Sequence, residues 1–407
     1  MKTRICFLAV TVLTCMLGFG AKEARAQCYG LDLHNTTHPA SGGMAGVSLA
    51  KPQDVPSAIF GNPSTLAQFR GAQFTFGASW TEPDLFVSHD GSYTGIPFSG
   101  KSTGQGCVLP SIGVTQDLRS VGIPGTLGLG VASLNGISAQ FAKQPGSLGM
   151  HSEILAYGIN AGAGIDLTDR LAGGAMLTVG YGNADTGFAH NSNMVHDFGL
   201  RGTFGLDYDL GRDTTVGVYY QTKLPMRYND ILVISAYGAV PHTFTTLDVE
   251  QPDNIGLGFA DSSLMGGRLL LAADILYKQW DNAAYWKDLC NNQWAFAFGT
   301  QLTRGKWRYR LGYSFAEPPV DPTPGSTVAG LPVGQAGVEF YQATQAGIVY
   351  KHRLSAGIGL VDVLPGVTLD LYAGGLLPES YQFGTSTSSS LKLWYAGGGL
   401  TWRFGHK

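Results

Sequence analysis

A chain of 407 residues with 58 Gly, 20 Phe and 18 Tyr carries only 14% charged residues and a net charge of −3. Soluble domains carry about 25% charged residues, so an ordinary wet surface is excluded. The small net charge and the absence of any Lys/Arg run leave no footing for nucleic acid.

Residues 1–26 open with Lys2 and Arg4, continue through an apolar core from about Ile5 to Gly20, and end on Ala24-Arg25-Ala26. A basic start, a short apolar run and a small-x-small site make an export signal cleaved after Ala26. The apolar run is shorter than the ~20 residues that span a bilayer, and no later run reaches that length. An exported chain of this composition is either soluble or a membrane barrel. Of the five cysteines, Cys28, Cys107 and Cys290 remain after cleavage. Their spacing fits no zinc site, and at most one bridge is expected.

Residues 27–70 form a short segment broken by Pro39, Pro52, Pro56 and Pro63. "PSTLAQF" suits a helix with Pro63 in its first turn. His34 and His38 stand four apart in "HNTTH", but Pro39 argues against the helix a metal pair would need. The segment is too short for a domain and too apolar to hang free, so it is placed inside whatever the rest of the chain encloses.

From Gly71 to Phe404 the sequence reads as segments of about ten alternating residues separated by turn-rich stretches, the pattern of membrane-crossing strands. In "FGLRGTFGLDY", Phe198, Leu200, Phe204, Leu206 and Tyr208 oppose Arg201, Thr203 and Asp207. In "KWRYRLGYSF", Trp307, Tyr309, Leu311 and Tyr313 oppose Arg308 and Arg310. A soluble sandwich also alternates, but the last strand, "LKLWYAGGGLTWRF", puts Trp394 and Trp402 near the two ends of one apolar face. Aromatic residues at both ends of an apolar band match the two water–lipid boundaries. About fourteen such segments are counted. Short connections at Asp169, Arg304–Lys306 and Gly366 alternate with long ones at 81–106, 225–243, 281–291, 317–340 and 378–390. The expected fold is therefore all-β, a transmembrane antiparallel barrel of about fourteen strands. Residues 27–70 are its hatch, 71–404 its wall and 405–407 a tail.

Four stretches in order carry a family resemblance: "GMAGVSLAKPQDVPSAIFGNPSTLAQF", "TTVGVYYQTKLPM", "EQPDNIGLGFA" followed by "LLLAADILYKQW", and "WRYRLGYSFAEPPV". The chain resembles the FadL/TodX outer-membrane transporters of long-chain fatty acids and other hydrophobic compounds, with Asn62-Pro63-Ser64 at that family's Asn-Pro-Ala hatch motif. It departs from the family in Ser64 and in the tail Gly405-His406-Lys407. The resemblance implies capture of a hydrophobic ligand at outer loops, passage beside the hatch and release through the barrel wall into membrane lipid. It also implies a bacterial outer-membrane location, insertion by the barrel assembly machinery and a monomeric chain. No Ser, His and Asp arrangement stands out, so neither an enzyme nor a cofactor is expected.

The candidate residues divide by place. Phe60, Asn62, Pro63 and Ser64 are hatch or gating candidates, with Asn62 and Pro63 also read as a plain helix start. Inward Arg201, Arg308 and Arg310 have the bidentate geometry that grips a carboxylate. Inward Asp207, Asp274 and Asp370 offer the alternative of a salt-bridged lumen. Phe86, Phe98, Tyr237, Phe244, Tyr285 and Trp286 are candidates for a capture groove in the outer loops, or for loop packing. Two rival functions are a general porin with a polar lumen and a structural or adhesive surface barrel.

Overall fold

The computed structural model describes residues 26–27, 29–30, 35–187, 193–234, 243–345 and 351–404. Period-two patterning becomes fourteen wall strands: β1 Ala72–His89, β2 Gln105–Asp117, β3 Gly125–Gln140, β4 His151–Asp166, β5 Leu171–Gly187, β6 Val195–Gly211 and β7 Thr214–Gln221. They continue as β8 Asn254–Leu264, β9 Leu269–Lys278, β10 Gln293–Arg304, β11 Trp307–Ala316, β12 His352–Leu364, β13 Val367–Phe383 and β14 Thr387–Phe404. Each pairs antiparallel with the next. β14 returns to β1 over Phe404↔Ala72 to Thr387↔His89, and the ring closes. Closure removes the unpaired edges that hydrocarbon does not tolerate.

The alternation sorts residues as expected. On β6, Phe198, Leu200, Phe204, Leu206 and Tyr208 are exposed on the outer face, while Arg201, Thr203 and Asp207 are buried on the inner one. On β11, Trp307, Tyr309 and Leu311 face out and Arg310 faces in. Trp394 and Trp402 stand eight residues apart on β14. That is about 26 Å of strand, or roughly 20 Å of membrane at a tilt near 40°. The two tryptophans therefore bracket a span close to the apolar band of about 25 Å on outer-membrane barrels, and the barrel is transmembrane.

One end carries short turns, such as the Arg304–Trp307 connection and the turn at Gly366, whose φ of 75° suits glycine. The other end carries the long connections, and two of these differ from expectation. β1 runs on to His89, and 378–390 is mostly paired strand with a turn at 384–386. The physical reason is that Ser380, Gln382 and Ser388–Ser390 replace the apolar alternation once the strands leave the lipid belt. The 225–243 connection begins in an inward-folded hairpin, Leu224–Ile234 with Thr243–Gln251. The 317–340 connection leads into helix Gln335–Gln345.

Within the ring lie Asn35 to Phe69. Helix α1, Val55–Phe60, starts where the Asp54 carboxylate accepts from Ser57 N–H at 2.8 Å, an N-cap. A 3₁₀ turn, Pro63–Gln68, starts at Asn62, whose side chain accepts from Ser64 N–H. The sequence-predicted helix start at Pro63 thus forms, as a tighter turn.

Candidate functional site

The hatch is fastened to the wall by polar groups placed at depth. Asp274 of β9, 1% exposed, accepts from Ser48 N–H at 2.7 Å and Leu49 N–H at 3.1 Å. Asn62 is wholly buried and donates through Nδ2 to Leu49 O within the hatch and to Leu206 O of β6. Its Oδ1 accepts from the Ser64 hydroxyl at 2.7 Å. Asn160 of β4 donates to Ile59 O, Ser355 of β12 accepts from Ala45 N–H, and Gln68 donates to Asp207 of β6. Within the hatch, Asp54 also accepts from Ala40 N–H and Ser41 N–H at 2.7 and 2.9 Å.

His38 is buried, with Nδ1 2.7 Å from the Ser111 hydroxyl of β2 and its ring 5.7 Å from that of Phe60. Burial pulls its imidazole down to about 4, against an upward pull from Asp54. Its ring nitrogen is occupied by a hydroxyl partner, and His34 lies outside the described residues.

Apolar closeness depends on missing side chains. A Cβ on Gly357 of β12 would sit 3.0 Å from Gly43 Cα of the hatch, and one on Gly174 of β5 would run into the Pro63 and Ser64 backbone. Inward glycine is thus what lets a folded segment lie flat on a sheet.

The wall is interrupted beside Ser111. The β2–β3 ladder runs from Asp117↔Thr126 to Ser111↔Ala132 and stops there, though β2 extends to Gln105 and β3 to Gln140. Pro110 is the next residue on β2, and a proline is confined to sheet edges or bulges. The β3–β4 register shifts between Ser133 and Asn135. Beyond that shift, Ser133, Asn135 to Ala139, and Met150 to Ser152 with Ile154 to Ala156, are buried on both faces. This part of the sheet has turned inward: Leu155 packs with Cys107 and Leu109 of β2, against Tyr157. The backbone of Ala26–Gln27 lies parallel to Gln105–Gly106, and that of Tyr29–Gly30 lies antiparallel to Gly136–Ile137. The N-terminal segment thus enters the break. Cys107 is disulfide-bonded, while Cys290 is free and buried. Burial raises the Cys290 thiol well above its ordinary range, so it is inert. Cys28 lies outside the described residues.

At the long-loop end, Phe98, Phe141, Trp280, Tyr285, Trp286, Phe340 and Phe383 belong to one buried apolar cluster. Tyr285 donates to the Tyr341 hydroxyl at 3.0 Å. Gln342 ties the helix to Leu289 O and Asp321 O. Three predicted groove residues, Phe98, Tyr285 and Trp286, are thereby brought together, as a packed dome. Phe86 is separate and exposed on the outer face of β1. Tyr237 and the side chain of Phe244 lie outside the described residues.

The three arginines do not meet. Arg201 donates to Thr222 O, Gln221 Oε1 and Pro252 O at 2.7–3.0 Å, which cinches the neck of the inward hairpin. Arg310 lies near the short-turn end, donating to Asp370 at 2.6 Å and to Gln301 at 2.7 Å. Arg308 lines a polar cavity beside it. The salt-bridged alternative holds for Arg310 with Asp370; Asp274 and Asp207 instead hold hatch groups.

Sequence reading missed the β2–β3 break, although Pro110 inside an otherwise regular strand was its signal. It also missed Ser111, Asn160 and Ser355, single polar residues on inner faces that look like any lumen lining.

No family model matches the sequence, and no curated protein matches it. Solved structures do. The P. putida toluene transporter TodX superposes with a TM-score of 0.67 at 18% identity, covering 92% of this chain and 100% of that one. A Pseudomonas aeruginosa FadL homologue gives 0.71 at 15%, covering 91% and 98%. The Ralstonia pickettii toluene transporter TbuX gives 0.66 at 17%, covering 92% and 100%. This chain has the fold of the TodX- and FadL-type transporters: a closed fourteen-stranded transmembrane barrel around a folded N-terminal hatch.

Proposed function

We propose that this chain is an outer-membrane importer of hydrophobic small molecules, long-chain fatty acids or aromatic hydrocarbons, of the FadL/TodX family. Import is passive, gated by the hatch, and the cargo leaves sideways through the wall into lipid. The observation that carries the reading is the break above Ser111↔Ala132, where Leu109 packs on Leu155 against Tyr157, the N-terminal segment enters and His38 of the hatch meets Ser111. An apolar cargo loses about 0.8 kcal/mol per methylene on meeting water, so an exit into lipid is the favourable one. The long loops face outward and the short turns face the periplasm. Asn62, Pro63, Ser64 and Phe60 set the hatch's closed position, and Arg201 holds the hairpin whose apolar side chains Leu224, Met226 and Tyr228 line the lumen wall.

The test is uptake in cells lacking the native gene and complemented with variants. Wild type should restore entry of a labelled long-chain fatty acid or toluene and leave sugar entry unchanged. Equal restoration of sugars would make the chain a porin, and restoration of neither would make it a structural or adhesive barrel. Leu109→Arg, which puts a charge into the break, should lower hydrophobic uptake at least tenfold while the barrel still folds. Unchanged uptake in that variant would place the exit elsewhere.

A further inference from the structure

Beneath the hatch, on the short-turn side, a cavity of about 220 Å³ lies between Lys51–Asp54 and Gln68–Phe69 of the hatch and the inner faces of β1, β11, β13 and β14. Arg308, Arg403 and Lys51 line it, together with Asp370, Asp54, Thr368 and Thr401. Its charges do not cancel. Asp370 is bound by Arg310 at 2.6 Å, and Asp54 is turned to the hatch backbone of Ala40, Ser41 and Ser57. Among the described residues neither Arg308 nor Arg403 has a carboxylate within ion-pair distance, and Lys51 Nζ meets only the Ser262 hydroxyl. Beside the cavity, Arg310 is 2% exposed, and its Nη2 is buried without a hydrogen-bond partner. One anion would answer the surplus charge.

We propose that this cavity binds a small oxyanion, a phosphate or a carboxylate, between Arg308 and Arg403. Planar guanidiniums suit such oxygens, and the two threonines supply hydroxyl donors. The volume holds about seven waters at ~30 Å³ each, room for an oxyanion group and not for a long acyl chain. The site is wired to the hatch: Arg310 Nε donates to Gln301 Oε1, and Gln301 Nε2 donates to Gln53 Oε1 at 2.9 Å. An occupied site bridges the wall to Gln53 of the hatch and steadies the hatch from below. This binding is independent of what the lumen carries.

Purified full-length protein in detergent is titrated calorimetrically with inorganic phosphate and, separately, with octanoate, at constant ionic strength held by chloride. Saturable binding that weakens at least tenfold in both Arg403→Gln and Arg308→Gln supports the site. Binding of phosphate alone identifies a free anion as the occupant, and binding of octanoate alone identifies a carboxylate headgroup. Heat-modifiable gel mobility confirms that each variant is a folded barrel. Gln53→Ala should lose the ligand-dependent protection of the hatch from protease. Heat effects that only follow total salt, or affinities unchanged in both arginine variants, overturn the proposal.

Discussion

At His38 a single proton opposes the hatch. Docked, the imidazole is held near 4 by burial; undocked, it returns to its ordinary 6.5. Between those values the free hatch takes up a proton that the docked one refuses. The His38 contribution to docking is thus complete above pH 6.5 and is lost as pH falls toward 4, by roughly 3 kcal/mol at 1.36 kcal/mol per pH unit. Measured against His38→Gln, wild-type channel conductance in planar bilayers should rise between pH 7 and 5. Asp274 tests the same docking by another route. Asp274→Ala leaves the Ser48 and Leu49 N–H groups buried without their acceptor, at about 1–3 kcal/mol each. The variant should show faster protease cleavage around Leu49 at pH 7 with the barrel intact. Arg201 makes no contact that waits for a ligand, since Nε, Nη1 and Nη2 all donate to protein. Arg201→Met should lower uptake of acidic and neutral cargo alike, by several-fold; loss confined to the acids would restore it as a headgroup clamp.

At the scale of elements, the hatch and wall fit because one side lacks side chains. Gly174→Ala would bring a methyl against the Pro63 carbonyl and Ser64 N–H, weakening docking by about 1–3 kcal/mol. The expected readout is more frequent channel opening without a change in the melting of the barrel. What was legible in the sequence follows the same division. Strands bathed in lipid announce themselves by alternation: Phe198 to Tyr208 and Trp307 to Leu311 face as the pattern demands, because the solvent outside and the lumen inside differ sharply. Where both faces meet protein, as from Asn135 to Ala139, the contrast vanishes and the inward turn of β3 is invisible. The extra length of β1 and β13 was hidden for a related reason, water lying on one side and polar loop on the other. The start of the 3₁₀ turn at Asn62 was readable from Asn-Pro chemistry, but its partner Leu206 O is a backbone atom and leaves no mark in a sequence. Loop aromatics were readable as a group; that Phe98, Tyr285 and Trp286 form a sealed dome depends on three connections meeting.

At the scale of the molecule, the wall joins its own ends. β1 and β14 pair over the eighteen residues of each, and Thr75 and Thr401 share a hydrogen bond across 326 positions of sequence. Bringing such distant partners together has an entropic penalty of about 5 kcal/mol from loop closure alone, and none of the seam forms until the final segment has been synthesised. Until then the growing sheet carries two bare margins that invite mispairing. Once zipped, the reverse step must separate a long ladder before any intermediate gains freedom. The finished ring should be long-lived far beyond its equilibrium stability, its lifetime set by the rarity with which that one suture parts.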